Sequence, residues 1–369
     1  MNTKYDIEFN SSKGTYSFVE NTKNAISWHR LGQRFSEPLT SAQAIEACNA
    51  NFNVTKQPIA MISSAVEALI AAGEPVPAEM LQDLIIEGKV ATVRDDKNDT
   101  LGIVSDNYGV VQNADAFSFL DKIVTGDLTE EVAEATGNIE CAGILGNGEK
   151  VFITVKMPDS VQLDDEGKDL VDMYLVFTTS HDGTGAVKCM VTPIRTNTNA
   201  TLNLALYRNS GKISLRHSSG VMQRMDLTNM ENARLAYSSL KLFNEYRDQF
   251  VLAIKELREK VLTRDQIEDV IAYTLFSDEQ YKIWKELHDL DADGISTNAK
   301  NKFNKAVEYI WNGFGQTGTQ NTGMWVINGL TSLYQNGFKP QSSAVFFNSV
   351  SDGYIYNKIQ RAYQAILRA

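Results

Sequence analysis

The sequence predicts an α+β fold: an antiparallel sheet with short helices in the first part and a mostly helical C-terminal part. Three observations carry that prediction. Apolar residues between Lys89 and His217 recur largely at a period of two, the spacing of a half-buried strand. Beyond Asp226 they recur every three to four residues, the spacing of a helix face. Tight-turn pairs, Asn147-Gly148 and Asp182-Gly183, separate the strand-like runs. The chain therefore divides into 1–87, an N-terminal arm with short helices; 88–226, an antiparallel α+β core; and 227–369, a helical region.

Residues 1–36 read as an irregular arm. Trp28-His29-Arg30-Leu31-Gly32 within it is a tryptophan anchored in a core, with His29 a satisfied neighbour rather than a metal ligand. Thr40 or Ser41 caps a short helix running to Ala50. Residues 61–87, rich in Ala, Leu and Glu and broken by Gly73, Pro75 and Pro77, read as two helical pieces. KVATVRD from Lys89, the turn Asp96–Asp99 and TLGIVSD form a β-hairpin. Tyr108–Gln112 is a brief extended piece, and Asn113 caps a helix whose apolar face is Ala116, Phe117, Leu120 and Ile123. Ile139–Leu145 and Lys150–Met157 are strands flanking Gly146-Asn147-Gly148, and Met173–Ser180 and Ala186–Pro193 flank His181-Asp182-Gly183. Thr198 or Asn199 starts a short helix through Ala205, and Lys212–His217 is the last strand. Leu235, Leu242, Phe243, Phe250, Ile254, Leu257 and Val261 then mark a helix of roughly thirty residues. Thr263 or Asp265 caps the next, through Phe276, and further helices follow at about 278–290, 298–312, 322–336 and from 351.

Composition bounds the function. At 369 residues, 43% hydrophobic and 22% charged, the chain is an ordinary globular protein of more than one small core. No apolar run approaches the roughly 18 residues of a membrane span, and the polar start MNTKYDIEFNSSKG has no signal-peptide core. Cys48, Cys141 and Cys189 lie far apart without a CxxC pair, which points to reduced thiols in a cytoplasmic compartment.

Charge is arranged in blocks. Residues 1–182 hold 13 basic and 29 acidic side chains, residues 226–300 hold 10 and 15, and residues 301–369 hold 6 and 2. Between the first two blocks, residues 183–225 carry Lys188, Arg195, Arg208, Lys212, Arg216 and Arg224 with no Asp or Glu, in a protein of net charge −11. At the chain's average acid content about five acids belong in such a stretch. A solvated strand-and-helix face is the bland account of that stretch, and a site for a polyanion the specific one. On the specific account Lys188, Arg195, Arg208, Lys212 and Arg216 meet phosphates, Asn197, Asn199 and Asn203 make polar contacts, and Tyr207 stacks on an unpaired base.

Other chemistry-bearing patterns fall short. Ser180-His181-Asp182 holds the residue types of a hydrolase triad, but consecutive residues at a turn rarely present the triad's hydrogen bonds. The Gly-rich run Gly313–Gly323 lacks the Gly-Lys-Ser/Thr ending of a P-loop and any βαβ setting. Asp289-Leu-Asp-Ala-Asp-Gly294 begins like a calcium loop but has Lys300 at the twelfth position, where Glu is required. No catalytic residue, metal or cofactor is expected.

Four ordered elements carry a family resemblance: Trp28-His-Arg-Leu-Gly32, Asp106-Asn-Tyr-Gly-Val-Val-Gln-Asn113, Thr179-Ser-His-Asp-Gly183, and Thr192-Pro-Ile-Arg195 followed by Asn199–Leu206. Together with Thr322–Thr331, they resemble the phage/plasmid-like protein family of unknown function, found in prophages, phages and plasmids. Arg30 stands where that pattern usually has Gly, and Thr198 about where Cys is common. Members are likened to RecT-like single-strand annealing proteins, which form rings and hold DNA along a basic groove. The resemblance thus implies a non-enzymatic, cytoplasmic, homo-oligomeric protein that binds single-stranded DNA or RNA, with a role in annealing or recombination. The alternative is a mobile-element protein-interaction factor, neutralising a host defence or associating with virions, without nucleic-acid binding.

Overall fold

The computed structural model describes residues 8–11, 13–21, 33–118, 120–125, 137–158, 160–162, 170–184, 187–195, 212–215, 229–313, 319–338 and 353–369. Packing divides the chain into two compact units. One is Met1–Val155 with Val176–Cys189 and Ile213–Tyr237; the other is Lys156–Leu175, Met190–Lys212 and Ser238–Ala369. Antiparallel sheet with short helices fills the first half and helices the second, as the change of period predicts.

The N-terminal residues, expected as an irregular arm, instead contribute strands: β1 (Phe9–Asn10), β2 (Thr15–Tyr16), β3 (Phe18–Asn21) and β4 (Gln33–Phe35). Pieces of two to four residues are too short to display an alternation, which is why the sequence conceals them. Phe18 and Val19 are nonetheless wholly buried. β3 runs antiparallel to β8 (Asn138–Leu145), with Val19 opposite Ala142, and parallel to β4. The remaining strands of this sheet are β9 (Lys150–Lys156), β10 (Val161–Gln162), β11 (Leu170–Ser180), β12 (Val187–Arg195) and β13 (Lys212–Leu215). Their order is β13-β12-β11-β9-β8-β3-β4, with β10 beside β11. β11, in mid-sheet, is buried on both faces, as its almost unbroken apolar run requires. The β8–β9 turn has Gly146 and Gly148 at positive φ, so the Asn-Gly hairpin stands where the sequence put it.

A second sheet joins β5 (Val54–Ala60), β6 (Ile85–Arg94) and β7 (Thr100–Ser105), all antiparallel. The β6–β7 hairpin matches expectation; β5 does not, because VTKQPIA contains Pro58 and no apolar alternation. The two expected helical pieces lie between β5 and β6. They are α2 (Ser64–Ala72), capped by Ser63 and closed by a left-handed Gly73, and α3 (Ala78–Gln82). Earlier, Thr40 and Gln43 form a reciprocal capping box on α1 (Ser41–Ala47). Later come α4 (Asn113–Phe117) and α5 (Leu120–Thr125), whose Ala116, Phe117, Leu120 and Ile123 are buried together.

In the second unit, α6 (Asn229–Glu259, its first residues in the other unit) buries Leu240, Phe243, Tyr246, Phe250, Ala253, Ile254 and Leu257 at helical spacing. Val261 does not continue that face: it lies past the helix end, exposed, in a bridge with Thr322. Thr263 and Ser277 form capping boxes on α7 (Arg264–Leu275) and α8 (Asp278–Leu287). Ser296 caps α9 (Thr297–Asn312) and Thr322 caps α10 (Gly323–Ser332), which runs on into one π-helical turn, Leu333–Gly337. The last helix is α11 (Tyr354–Arg368). Phe276, Trp284 and Phe303 form an aromatic knot, with ring centroids 5.2 to 6.3 Å apart. Gly329 lets α10 approach α9 closely, since a Cβ there would fall 2.6 Å from the Ile310 Cα.

Candidate nucleic-acid interface

The acid-free stretch begins where β11 turns into β12, and the turn is held by an unusual density of hydrogen bonds. Asp182 Oδ1 accepts from the Ser180 hydroxyl at 2.5 Å, the Thr184 hydroxyl at 2.6 Å and the Thr184 amide at 2.9 Å. Burial alone would raise this carboxyl's pKa, but those three bonds, helped by Lys150, hold it below the ordinary carboxylate value. The neighbouring His181 is fully buried, its Nε2 2.9 Å from Asn113 Oδ1. Asn113 Nδ2 donates to the Ala50 carbonyl, which leaves Oδ1 to accept from the imidazole. The Ser180 proton therefore goes to Asp182 and the imidazole to Asn113, so these three residues do not make the Ser–His bond of a hydrolase triad. The turn reading is the correct one.

Other segments close on the same turn. Tyr108 donates its hydroxyl to the Ser180 carbonyl at 2.8 Å, Thr92 of β6 donates to the His181 carbonyl at 2.7 Å, and the His181 amide donates to the Glu149 carbonyl. Gly102 of β7 lies so near that a Cβ would sit 2.5 Å from the Asp182 Cα. Gln112 exchanges hydrogen bonds with both backbone groups of Val54. Asn113, expected as the N-cap of α4, is its first residue, with Gln112 in the cap position. Its side chain is used by His181 instead. The element Asp106–Asn113 and the element Thr179–Gly183, which the sequence presents as separate motifs, are thus two halves of one clasp that fixes the entry to β12.

β12 and β13 are neighbours, and β13 is the last strand of the described sheet. Lys188 on β12 is half-buried between the buried Val187 and Cys189, so it is less outward than strand alternation implies. Arg195 ends β12 and Lys212 begins β13; for these two the description covers the backbone. Asn197, Asn199, Asn203, Tyr207, Arg208 and Arg216 lie outside the described residues, as do Trp28–Gly32 and the short helix expected from Thr198. The strand pairing thus brings Lys188, Arg195 and Lys212 onto adjacent strands, and nothing described bears on how the other six candidates are arranged.

The remaining motifs make structural contacts where they are described. The described end of the Gly-rich run is built into protein: the Gly323 amide donates to the Lys260 carbonyl, and a Cβ there would meet Ile366 at 2.6 Å. Thr322 accepts from the Trp325 amide and donates to the Thr319 carbonyl. Lys300, at the twelfth position of the calcium-like loop, pairs with Asp291 at 3.1 Å. Among the described residues no group of three or more His, Cys, Asp or Glu side chains is placed to hold a metal ion. No disulfide joins the three cysteines, and burial pushes the Cys48 and Cys141 thiols up to about 12. Among the described residues no helix is long and apolar enough to cross a membrane.

One buried charge cluster leaves no mark in local sequence spacing. Arg94 on β6 is wholly buried, donating to Glu8 at 2.8 Å, to both carboxylate oxygens of Asp96 and to the Asn147 carbonyl, with its guanidinium 3.9 Å from the Phe52 ring centre. Lys97 adds a second cation on Glu8 at 2.6 Å. An arginine at the end of an alternating strand carries no mark of burial, because Asp96 is its one hydrogen-bonded partner nearby in sequence and Glu8 and Asn147 come from 86 and 53 residues away.

No curated protein and no solved structure matches this chain. A family match does exist, over residues 100–337, which takes in both halves of the clasp, β12, β13 and α10 but not Trp28–Gly32. That span is more than half of the 369 residues, and the chain belongs to the family described as Domain of unknown function (DUF932).

Proposed function

We propose that this protein is a non-enzymatic binder of single-stranded nucleic acid, whose contact surface is the sheet edge made by β12 and β13 with the polar, acid-free segment that joins them. One observation carries the reading: two neighbouring strands, Val187–Arg195 and Lys212–Leu215, lie within a 43-residue stretch, 183–225, that holds six cations and no acid in a chain of net charge −11. A single strand is held by such a groove through its phosphates and by aromatic rings through its bases, and it needs no hydrolytic centre. Annealing of complementary strands, in a phage or plasmid setting, is the activity we attach to it.

The test is binding of a short labelled single strand at low salt. With four to six phosphate contacts, log K should fall against log[salt] with a slope of about −3 to −4. Absence of binding at low salt, whatever the oligomeric state, would sink the proposal and leave the protein-interaction reading. The exposed apolar side chains Met61, Ile62, Ile70, Leu81, Ile85 and Ile86, on and beside α2 and α3, favour that second reading.

A further inference from the structure

Buried polar side chains in this protein are commonly paired. Asn49 and Asn113 use both ends of their amides, and Thr274 within α7 donates its hydroxyl to the Val270 carbonyl at 2.7 Å. α10 concentrates the exceptions. Trp325, Asn328 and Thr331 follow one another at a spacing of three and are 3%, 5% and 2% exposed. Trp325 Nε1, both ends of the Asn328 amide and the Thr331 hydroxyl meet no hydrogen-bond partner among the described residues. Residues three apart on a helix are neighbours on its surface, so these atoms form one polar row. The row covers about 9 Å of helix axis, more than one water bridges. Groups buried in this way call for a partner that the chain itself does not supply.

Their chemistry narrows what that partner is. Trp325 donates only, Thr331 donates or accepts, and the Asn328 amide presents a donor beside an acceptor. None is charged, and Val326, Ile327 and Leu330 between them are buried and apolar, so a phosphate, a carboxylate or a metal ion would be stranded there. A neutral planar group with a donor next to an acceptor fits, and the edge of adenine is the pattern that an asparagine amide matches bidentately. Aromatic surface for such a ring lies alongside. Trp325 meets Trp311 of α9 edge-to-face with ring centroids 4.8 Å apart, and Trp311 is half-buried, with the Arg264 guanidinium 5.8 Å from its ring centre. The tryptophan pair thus leads from the solvent side towards Asn328. Beyond Thr331 the helix runs on into the π-helical turn Leu333–Gly337, a departure from α-geometry found mostly at functional sites.

We infer that α10 carries a site for a neutral nucleobase, adenine foremost, read by the Asn328 amide with Thr331 and Trp325 Nε1 as further contacts and entered past Trp311. The base comes from a free nucleoside or from a single strand. In the second case the inference rests on the proposed function and adds base recognition to it.

Calorimetry of the full-length protein with adenosine, which has no phosphate, tests the site apart from any charge contact. Wild type should bind adenosine at millimolar concentrations or below. Asn328→Leu should weaken binding about tenfold or more while melting no lower than wild type. Thr331→Val, nearly the same shape, should weaken it by a smaller factor. Competition with a short oligo(dA) tells the sources apart: displacement of adenosine identifies a base of a strand, and its absence a free nucleoside. A wild type that binds no adenosine at millimolar concentration, or an Asn328→Leu variant that binds it as tightly as wild type, overturns the inference. An abasic strand that fails to bind at low salt overturns only the phosphate-binding edge of β12 and β13.

Discussion

At the scale of single residues, the buried polar groups are where this protein is most sensitive. Asp182 has its pKa lowered in the fold, so its three hydrogen bonds stabilise the protein above the unfolded value near 4 and are lost as pH falls through the folded value. Asp182→Asn should therefore lower stability at neutral pH and flatten its fall at acid pH, as denaturant midpoints across the range from neutral to pH ~2 would register. A variant that lost stability with acid as steeply as wild type would show that Asp182 is not the titrating group. Arg94 makes a harsher case. Arg94→Met leaves Glu8, 2% exposed, with Lys97 and the Ser17 hydroxyl as its partners, and loss of one member of a buried pair costs about 3–5 kcal/mol. Adding Glu8→Gln should recover part of that loss, and no recovery would show that the cost lies in the Asp96, Asn147 and Phe52 contacts instead.

At the scale of elements, legibility follows the length of the pattern. α6 announces itself through apolar positions from Leu235 to Leu257, and the caps Thr40 and Thr263 through single residues with a glutamine three places on. β3 and β4 span four and three residues and β5 has a proline, so no period exists to read; only the partner strands define them. The clasp was legible in its parts, Tyr108, Asn113 and His181-Asp182-Gly183, but not as a unit, because a hydrogen bond across 68 or 72 residues leaves no trace in local spacing. α10 shows the same limit from another side. Its apolar run reads as a buried helix, yet it hides Asn328, 5% exposed, whose amide meets no hydrogen-bond partner at either end among the described residues. Asn328→Leu should raise stability by about 1–3 kcal/mol by removing that unsatisfied group, whereas Gly329→Ala next to it should lower stability by about 1–3 kcal/mol through overpacking against Ile310. Denaturant midpoints of the two variants should move in opposite directions, and a destabilised Asn328→Leu would mean that the amide is satisfied by bound water.

At the scale of the whole molecule, charge is sorted along the chain rather than mixed, with acids concentrated in residues 1–182 and none in 183–225. On the proposed reading, such sorting concentrates cations at the edge made by β12 and β13 in a chain whose bulk is acidic. It also separates two kinds of contact that a binding assay can tell apart. Replacing Arg195 or Lys188 by Ala should weaken binding of all single strands alike and flatten the salt slope by somewhat under one unit each, about 0.7 per phosphate contact. Tyr207→Ala, if the ring stacks on a base, should cost about 1–3 kcal/mol with little change of slope. Loss of fold would lower affinity in all three without those separate signatures, and thermal melting would expose it. A slope that stayed at the wild-type value in both cation variants would move the phosphate contacts off β12, and with them the reading of this edge as the interface.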